Sequence, residues 1–455
     1  MSARGAAPAH SPTADLLERA ARALREAPAG PLVLSVAAPD IDPLSLLAAD
    51  DDAWLWTDRD GRVTVGAGSV LGIGATGDAR FRTVMARARD LPRFRSEGAA
   101  EAAPPPRLIG GGAFAPSERT PDDWRDFADL WFTLPRLAWY DDDAAGPRLQ
   151  IALSEGDDDA IRRRTLAALE RLLATTTTPP PRSATLRGAV DAPAERDRWR
   201  PLVGRALSAI ESGAASKIVL ARSARLTADR AIGIRALAQS LLRADGTFRY
   251  LVAIGDVVFA GASPERLVEK RGDAVRTEAV AGTAAVGHEE TPLEQREKDR
   301  REHLAVVLAI DESLAPYTLA LEHADEPLVR RVGRVEHLVT PFAGRVDPAM
   351  HVLELAAALH PTPAVAGTPR DVALDFIASN EGLRRGWFAG PIGWFDANGD
   401  GELAVALRCV RIEGPAVHVY AGAGVVSGSD PDAEFDETVL KMRSTLAALG
   451  FELSP

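Results

Sequence analysis

From residue 217 onward the chain reads as short extended runs that follow one another directly, which argues against a regular alternation of strand and helix. Runs at 250–260, 266–270 and 275–285 are separated only by Gly, Ser, Pro and Asp. The C-terminal part repeats this as a meander of 387–395, 402–413 and 416–426. From residue 195 onward, helical spacing of apolar residues is confined to 196–212, 293–313, 349–359, 370–379 and 435–449. Strands gathered in runs with helices between the runs predict an α+β fold, not βαβ repeats.

The first half is organised but carries little visible chemistry. Residues 1–13 read as a disordered tail, and 14–27 as an amphipathic helix stopped by Pro28 and Gly30. Two stretches, 99–106 and 175–181, each hold three consecutive prolines and read as surface linkers. Between them, 124–140 and 148–153 look extended and 158–174 looks helical.

Composition narrows the function classes. The 455 residues allow one large core or several domains of about 150 residues. With 46% hydrophobic and 26% charged residues, the chain can fill a globular core. Its 65 acidic residues exceed its 53 basic ones, giving a net charge of −12 with no basic stripe to follow a phosphate backbone, so no nucleic-acid partner is expected. Uninterrupted apolar runs fall short of a membrane span, so no membrane association is expected. Glu18 and Glu26 among Arg19, Arg22 and Arg25 do not suit a targeting peptide, and a cytoplasmic protein is expected. Cys409 is the only cysteine, which leaves oxygen and histidine as the available metal ligands.

Several motifs have two readings. Gly72, Gly74 and Gly77 spell a dinucleotide-type turn, yet no parallel-sheet rhythm surrounds them, and a tight turn suits the context better. Asp396, Asn398, Asp400 and Gly401 copy the opening of a calcium loop, but the twelfth position is Leu407, so a hairpin loop is expected. Lys217 opens an apolar strand, where desolvation would favour its neutral form, or it simply reaches out to water. Glu265 lies in a tight turn between two extended runs, as a held carboxyl or an ordinary solvated one. Glu302 sits in a charged helical stretch that is either a solvated face or a source of metal ligands. Glu437 and Lys441 have ion-pair spacing, and the glutamate is equally suited to a magnesium ion. Singly none rises above an ordinary structural role, but their joint order does.

That order resembles the chorismate-utilising enzymes, the family of isochorismate, salicylate, anthranilate and aminodeoxychorismate synthases. The blocks are Ser216-Lys217-Ile218-Val219-Leu220-Ala221-Arg222, Ala262-Ser263-Pro264-Glu265, Glu278-Ala279-Val280-Ala281-Gly282-Thr283 and Lys298-Asp299-Arg300-Arg301-Glu302-His303. Next come Val335-Glu336-His337-Leu338, His360-Pro361-Thr362-Pro363-Ala364-Val365-Ala366-Gly367, Ala406-Leu407-Arg408 and Ala421-Gly422-Ala423-Gly424. The last is Glu434-Phe435-Asp436-Glu437-Thr438 with Lys441. The resemblance implies a single α+β domain over 14–455, built of two large antiparallel sheets with helices outside and with its catalytic motifs in 195–449.

It also implies roles. Lys217 would be the general base that activates water toward C2 of chorismate, and Glu265 the general acid that protonates the departing C4 hydroxyl. Glu302 and Glu437 would hold Mg²⁺ against the ring carboxylate. Arg408 and Lys441, with backbone near Gly422 and Gly424, would take the enolpyruvyl carboxylate. His337 and the turn of Ala281, Gly282 and Thr283 would line the ring pocket. Ala364 followed by Val365 resembles the isochorismate synthases, whereas salicylate-forming relatives usually carry threonine at the first position. An isochorismate synthase serving menaquinone or siderophore synthesis is therefore expected, as a monomer without an obligate glutaminase. The alternatives are a salicylate synthase, an ammonia-using synthase subunit, and an inactive paralogue that binds without turnover.

Overall fold

The computed structural model describes residues 18, 22, 32–38, 41–90, 95–97, 105–116, 124–141, 146–154, 156–174, 184–285, 292–332 and 335–454. The expected tail at 1–13, the linker at 175–181 and most of 99–106 lie outside the described residues. So does most of the helix expected at 14–27, of which Glu18 and Arg22 are described and helical.

Hydrogen-bond ladders join 22 strands of the described residues into one network with two arms. The first arm runs through Arg148–Leu153, Leu130–Tyr140, Val63–Ala75, Ala53–Thr57, Phe248–Ile254, Val257–Ser263, Cys409–Glu413 and Ala416–Val426 to Lys217–Ala228. The second leaves Leu130–Tyr140 on its other edge and runs through Arg107–Gly112, Pro391–Asp396, Gly401–Val405, Arg266–Arg271 and Ala274–Ala285 to Val335–Val346. Every pair in both arms is antiparallel. The two expected sheets are thus present, sharing one long strand whose ends serve different neighbours. First-half strands pair directly with second-half strands in each arm, as Ala53–Thr57 does with Phe248–Ile254 and Arg107–Gly112 with Pro391–Asp396.

Two short passages carry the chain directly from one arm to the other. Pro264–Glu265 links Val257–Ser263 of the first arm to Arg266–Arg271 of the second, and Ala406–Arg408 links Gly401–Val405 back to Cys409–Glu413. Each passage is bonded to a strand end that flanks the other, because Val405 N donates to Glu265 O at 3.1 Å and Ala262 N to Arg408 O at 3.2 Å. Arg408 takes a left-handed φ of 51°, a conformation unusual for a residue with a Cβ. Helix Glu297–Leu314 packs on strand Ala274–Ala285, and helix Pro431–Ala448 on strand Ala416–Val426.

These crossings explain where sequence periodicity misplaced elements. The run 402–413 is two strands in different arms, since an apolar strand that leaves one buried sheet for another keeps its apolar character. The run 250–260 is a hairpin that turns at Gly255, whose φ is +53°. The run 387–395 holds a turn before strand Pro391–Asp396. The stretch 330–338, which reads from sequence as a single strand, divides into Leu328–Val332 and Val335–Val346. Ala53–Thr57 is buried on both faces and so lacks the alternation that marks a half-exposed strand.

The glycine motif is not a phosphate turn. Gly72 and Gly74 lie inside the antiparallel strand Val63–Ala75, where a Cβ on either would come within 3.0 Å of the Trp131 ring. Gly77 N donates to the Asp129 carboxylate at 2.8 Å, so an acidic side chain occupies the position an anion would need. The calcium-like segment is the expected hairpin loop, its Asp396 Oδ1 accepting from the amides of Asn398 and Asp400.

Phe259 is fully buried and packs with Trp124, Phe127, Tyr250 and Trp387, which brings both halves of the chain into one aromatic cluster. Phe259→Ala is expected to cost about 3–5 kcal/mol through lost burial and the cavity left behind. A clear fall in the midpoint of thermal or urea unfolding checks it.

Candidate active site

One cavity opens where the two passages meet the end of strand Lys217–Ala228, and both arms and both packed helices contribute to it. Lys217 enters from the first arm with 7% of its surface exposed, and Glu265 from the first passage with 5%. Ala281 and Gly282 come from the second arm at a bulge, where Gly282 has a φ of +77° and is the extra residue opposite Leu338 and His337. His337 lines the same wall. Thr283 is placed by its backbone as the ladder partner of His337. Ala364 and Val365 form the floor, Arg408 projects from the second passage, and Gly422 and Gly424 lie on the strand beside Lys217. Glu302, Glu437 and Lys441 reach in from the two helices. The residues singled out from sequence are therefore brought to one place.

Local geometry fixes several of them. Gly424 is the ladder partner of Val219, and a Cβ there would sit 2.9 Å from Lys217 Cε, so glycine leaves the channel that the lysine side chain crosses. Lys217 Nζ donates to Glu302 Oε1 at 2.6 Å, an ion pair between a sheet and a helix packed on the other arm. Lys441 Nζ lies 2.5 Å from Glu437 Oε1 and donates to Gly422 O at 2.8 Å. The loop under the cavity is laced to both sides. Val219 N donates to Ala366 O at 2.9 Å, while Thr362 Oγ1 donates to Glu265 Oε1 at 3.4 Å.

The electrostatics separate two glutamates that lie close together. Burial, with the negative charge of Glu278 as the next contribution, raises the Glu265 carboxyl to about 8, although Lys217 and Thr362 act against it. Burial acts on Glu278 in the same sense, but hydrogen bonds and charge from Arg59 and Arg330 outweigh it and hold that carboxyl at about 2. At neutral pH the site thus contains a protonated Glu265 beside an ionised Glu278. Burial, with Arg408, Lys441 and Arg330 adding to it, lowers His337 to about 3 and keeps it neutral. Burial also lowers the Arg408 guanidinium, an effect that Glu437 opposes.

Sequence reasoning missed Arg385, which also lines the cavity. It donates to Val365 O and Val219 O, both at 2.8 Å, and pairs with Glu381, whose Oε2 accepts from Ala221 N. This buried pair ties the floor loop to the Lys217 strand. Its i,i+4 spacing was a visible signal, but one shared with many solvated pairs. Asp299 and Glu434 line the cavity as well, each three residues before a glutamate already named and so on the same helical face. Among the described residues, no three acidic, histidine or cysteine side chains converge to form a metal cage.

Comparison with known proteins agrees with this arrangement. A family described as chorismate binding enzyme matches residues 18–450. The salicylate biosynthesis isochorismate synthase of Pseudomonas aeruginosa is 35% identical over 432 residues, covering 90% of this chain and 89% of the relative. The isochorismate synthase MenF of Bacillus subtilis is 32% identical over 436 residues, covering 90% and 92%. Among solved structures, the menaquinone-specific isochorismate synthase of Escherichia coli superposes with a TM-score of 0.77 at 28% identity, over 95% of this chain and 98% of that one.

The charge arrangement has a direct spectroscopic consequence. In pH-difference infrared spectra, a protonated carboxyl band that is absent from Glu265→Gln is expected to disappear with a midpoint of about 8. Loss of that band near the ordinary glutamate value would show that Glu265 is solvated.

Proposed function

The chain belongs to the chorismate-binding enzymes, and on that premise we propose that it is a magnesium-dependent isochorismate synthase, adding the oxygen of water at C2 of chorismate and releasing the hydroxyl at C4. The observation that carries this reading is the placement of Lys217 and a protonated Glu265 in one cavity, on different elements and with opposite proton demands. Water addition at one carbon with loss of hydroxide from another needs such a pair.

Lys217 takes a proton from water as its oxygen bonds to C2, the ring double bonds shift, and the C4–O bond breaks. Glu265 gives its proton to that oxygen, which leaves as water. No electrons are gained or lost, and a proton passed from Lys217 back to Glu265 restores the site. In the ion-paired arrangement Lys217 is the donor toward Glu302, so base duty requires that carboxylate to turn away. Glu302 is also one of the two carboxylates that would hold Mg²⁺.

The donor chemistry fits magnesium, a hard ion commonly held by one or two carboxylates with water and an anionic substrate completing the shell. Glu302 and Glu437 would hold it, and the ion would supply charge neutralisation for the ring carboxylate. Arg408 and Lys441 remain to receive the enolpyruvyl carboxylate, a role suited to a buried guanidinium fork. Ala364 and Val365 keep the floor apolar beside these charges. We assign the enzyme to the cytoplasm, as a monomer working without a glutaminase and supplying a menaquinone or siderophore route.

Incubation of the full chain with chorismate and Mg²⁺, with and without ammonium, followed by chromatography and mass spectrometry, tests this reading. Isochorismate as the product in both mixtures is expected. Salicylate with pyruvate, an aminated product, or no turnover would contradict it. Lys217→Ala is expected to lower kcat by about a hundredfold or more while leaving thermal unfolding intact. Glu302→Ala is expected to raise the Mg²⁺ concentration needed for half-maximal rate.

A further inference from the structure

Arg59 comes from a part of the chain for which the sequence suggested no role. It lies in the turn after strand Ala53–Thr57, yet it reaches the underside of the first passage between the sheets. Its guanidinium carbon sits 4.6 Å from the centroid of the Phe248 ring, which fixes the plane of the fork. One nitrogen donates to Glu278 Oε2 at 2.8 Å, and the other donates to both Glu278 Oε1 and Pro264 O. Glu278 completes the grip. Its Oε1 accepts from Arg266 N at 2.8 Å, and its Oε2 accepts from Arg330 at 2.9 Å.

The chain is therefore held immediately before and immediately after Glu265, by a carbonyl on one side and an amide on the other. We propose that Glu278 and Arg59 are positioning residues that clamp the Pro264–Arg266 turn and aim the Glu265 carboxyl into the cavity. This rests on the reading of Glu265 as the general acid. A turn gripped at both ends leaves the intervening side chain few orientations, which is what proton delivery to one substrate oxygen demands.

The same clamp sets the charge around the acid. Glu278, Lys217 and Arg59 are the charged groups that act on Glu265, and Thr362 contributes a hydroxyl from the floor loop. The Arg266 side chain turns away to Glu402 at 2.8 Å. Glu278 favours the protonated acid, whereas Arg59 favours the ionised one, so their removal shifts the acid in opposite directions. A merely structural pair would not produce that opposition.

The test is the pH dependence of kcat/KM for isochorismate formation by the full chain, which reports the acid of the free enzyme. An acid that must be protonated loses activity as pH rises through its pKa, so the wild-type alkaline limb is expected at about 8. Glu278→Gln is expected to move the limb down by about one pH unit or more and to lower kcat at pH 7 by about tenfold, with KM little changed. Arg59→Gln is expected to move the limb up while also lowering kcat, because the Pro264 carbonyl is freed. Limbs that stay at the wild-type position, or that shift in the same direction, overturn the clamp. If Glu278→Gln does not fold, Arg59→Gln decides alone, with an unmoved limb and unchanged kcat counting against the proposal. Wild-type protein that forms no isochorismate would instead overturn the assignment of function on which the clamp rests.

Discussion

The site depends on the way one chain changes sheets twice at the same spot. At Pro264–Glu265 it leaves the first arm for the second, and at Ala406–Arg408 it returns, with each passage hydrogen-bonded to a strand end that flanks the other. A passage between sheets cannot place its backbone groups in either ladder, so they must find partners elsewhere or pay desolvation. Here Glu265 O and Arg408 O accept from Val405 N and Ala262 N at the flanking strand ends, and the Tyr250 hydroxyl donates to Leu407 O. The two side chains carried by these passages, Glu265 and Arg408, consequently face one cavity from rigid backbone and not from a free loop.

Around that fixed point the charges are arranged by contrast. Glu265 has burial and a like charge nearby, so it keeps its proton at neutral pH, while Glu278 is equally buried but gripped by two arginines and is ionised. Two glutamates of one chain thus differ by the partners the fold gives them, not by their depth. The lysines are treated differently again. Lys217 and Lys441 are each paired with a glutamate, and those are the two glutamates proposed to hold magnesium. The proposed chemistry needs Lys217 released from Glu302 before it can take a proton.

Much of this was legible in the chain itself. The α+β class followed from strands in direct succession, and Lys217, Glu265, Glu302, Glu437 and Lys441 were picked out by the resemblance of their sequence blocks to the chorismate-utilising enzymes. The passages were not legible. The stretch 402–413 is apolar on both sides of Arg408, and nothing in its periodicity marks a change of sheet. Two strands of the first half were also hidden, because Ala53–Thr57 is buried on both faces and Val63–Ala75 contains glycines that the Trp131 ring requires. Arg59 and Arg385 were missed for a further reason. Each acts through contacts across long sequence separations, Arg59 with Glu278 and Arg385 with Val219, and no local pattern announces such a contact.

The central claim is that Lys217 activates water for attack at C2 while Glu265 releases the oxygen at C4, so the incoming and departing oxygens are different atoms. Turnover in water enriched in oxygen-18 tests this most directly, with the product examined by mass spectrometry before it can re-equilibrate. The account predicts one heavy oxygen in each isochorismate formed, located at the C2 hydroxyl. Isochorismate formed without the label would mean that the original hydroxyl is carried across the ring, and the roles assigned to Lys217 and Glu265 would be wrong.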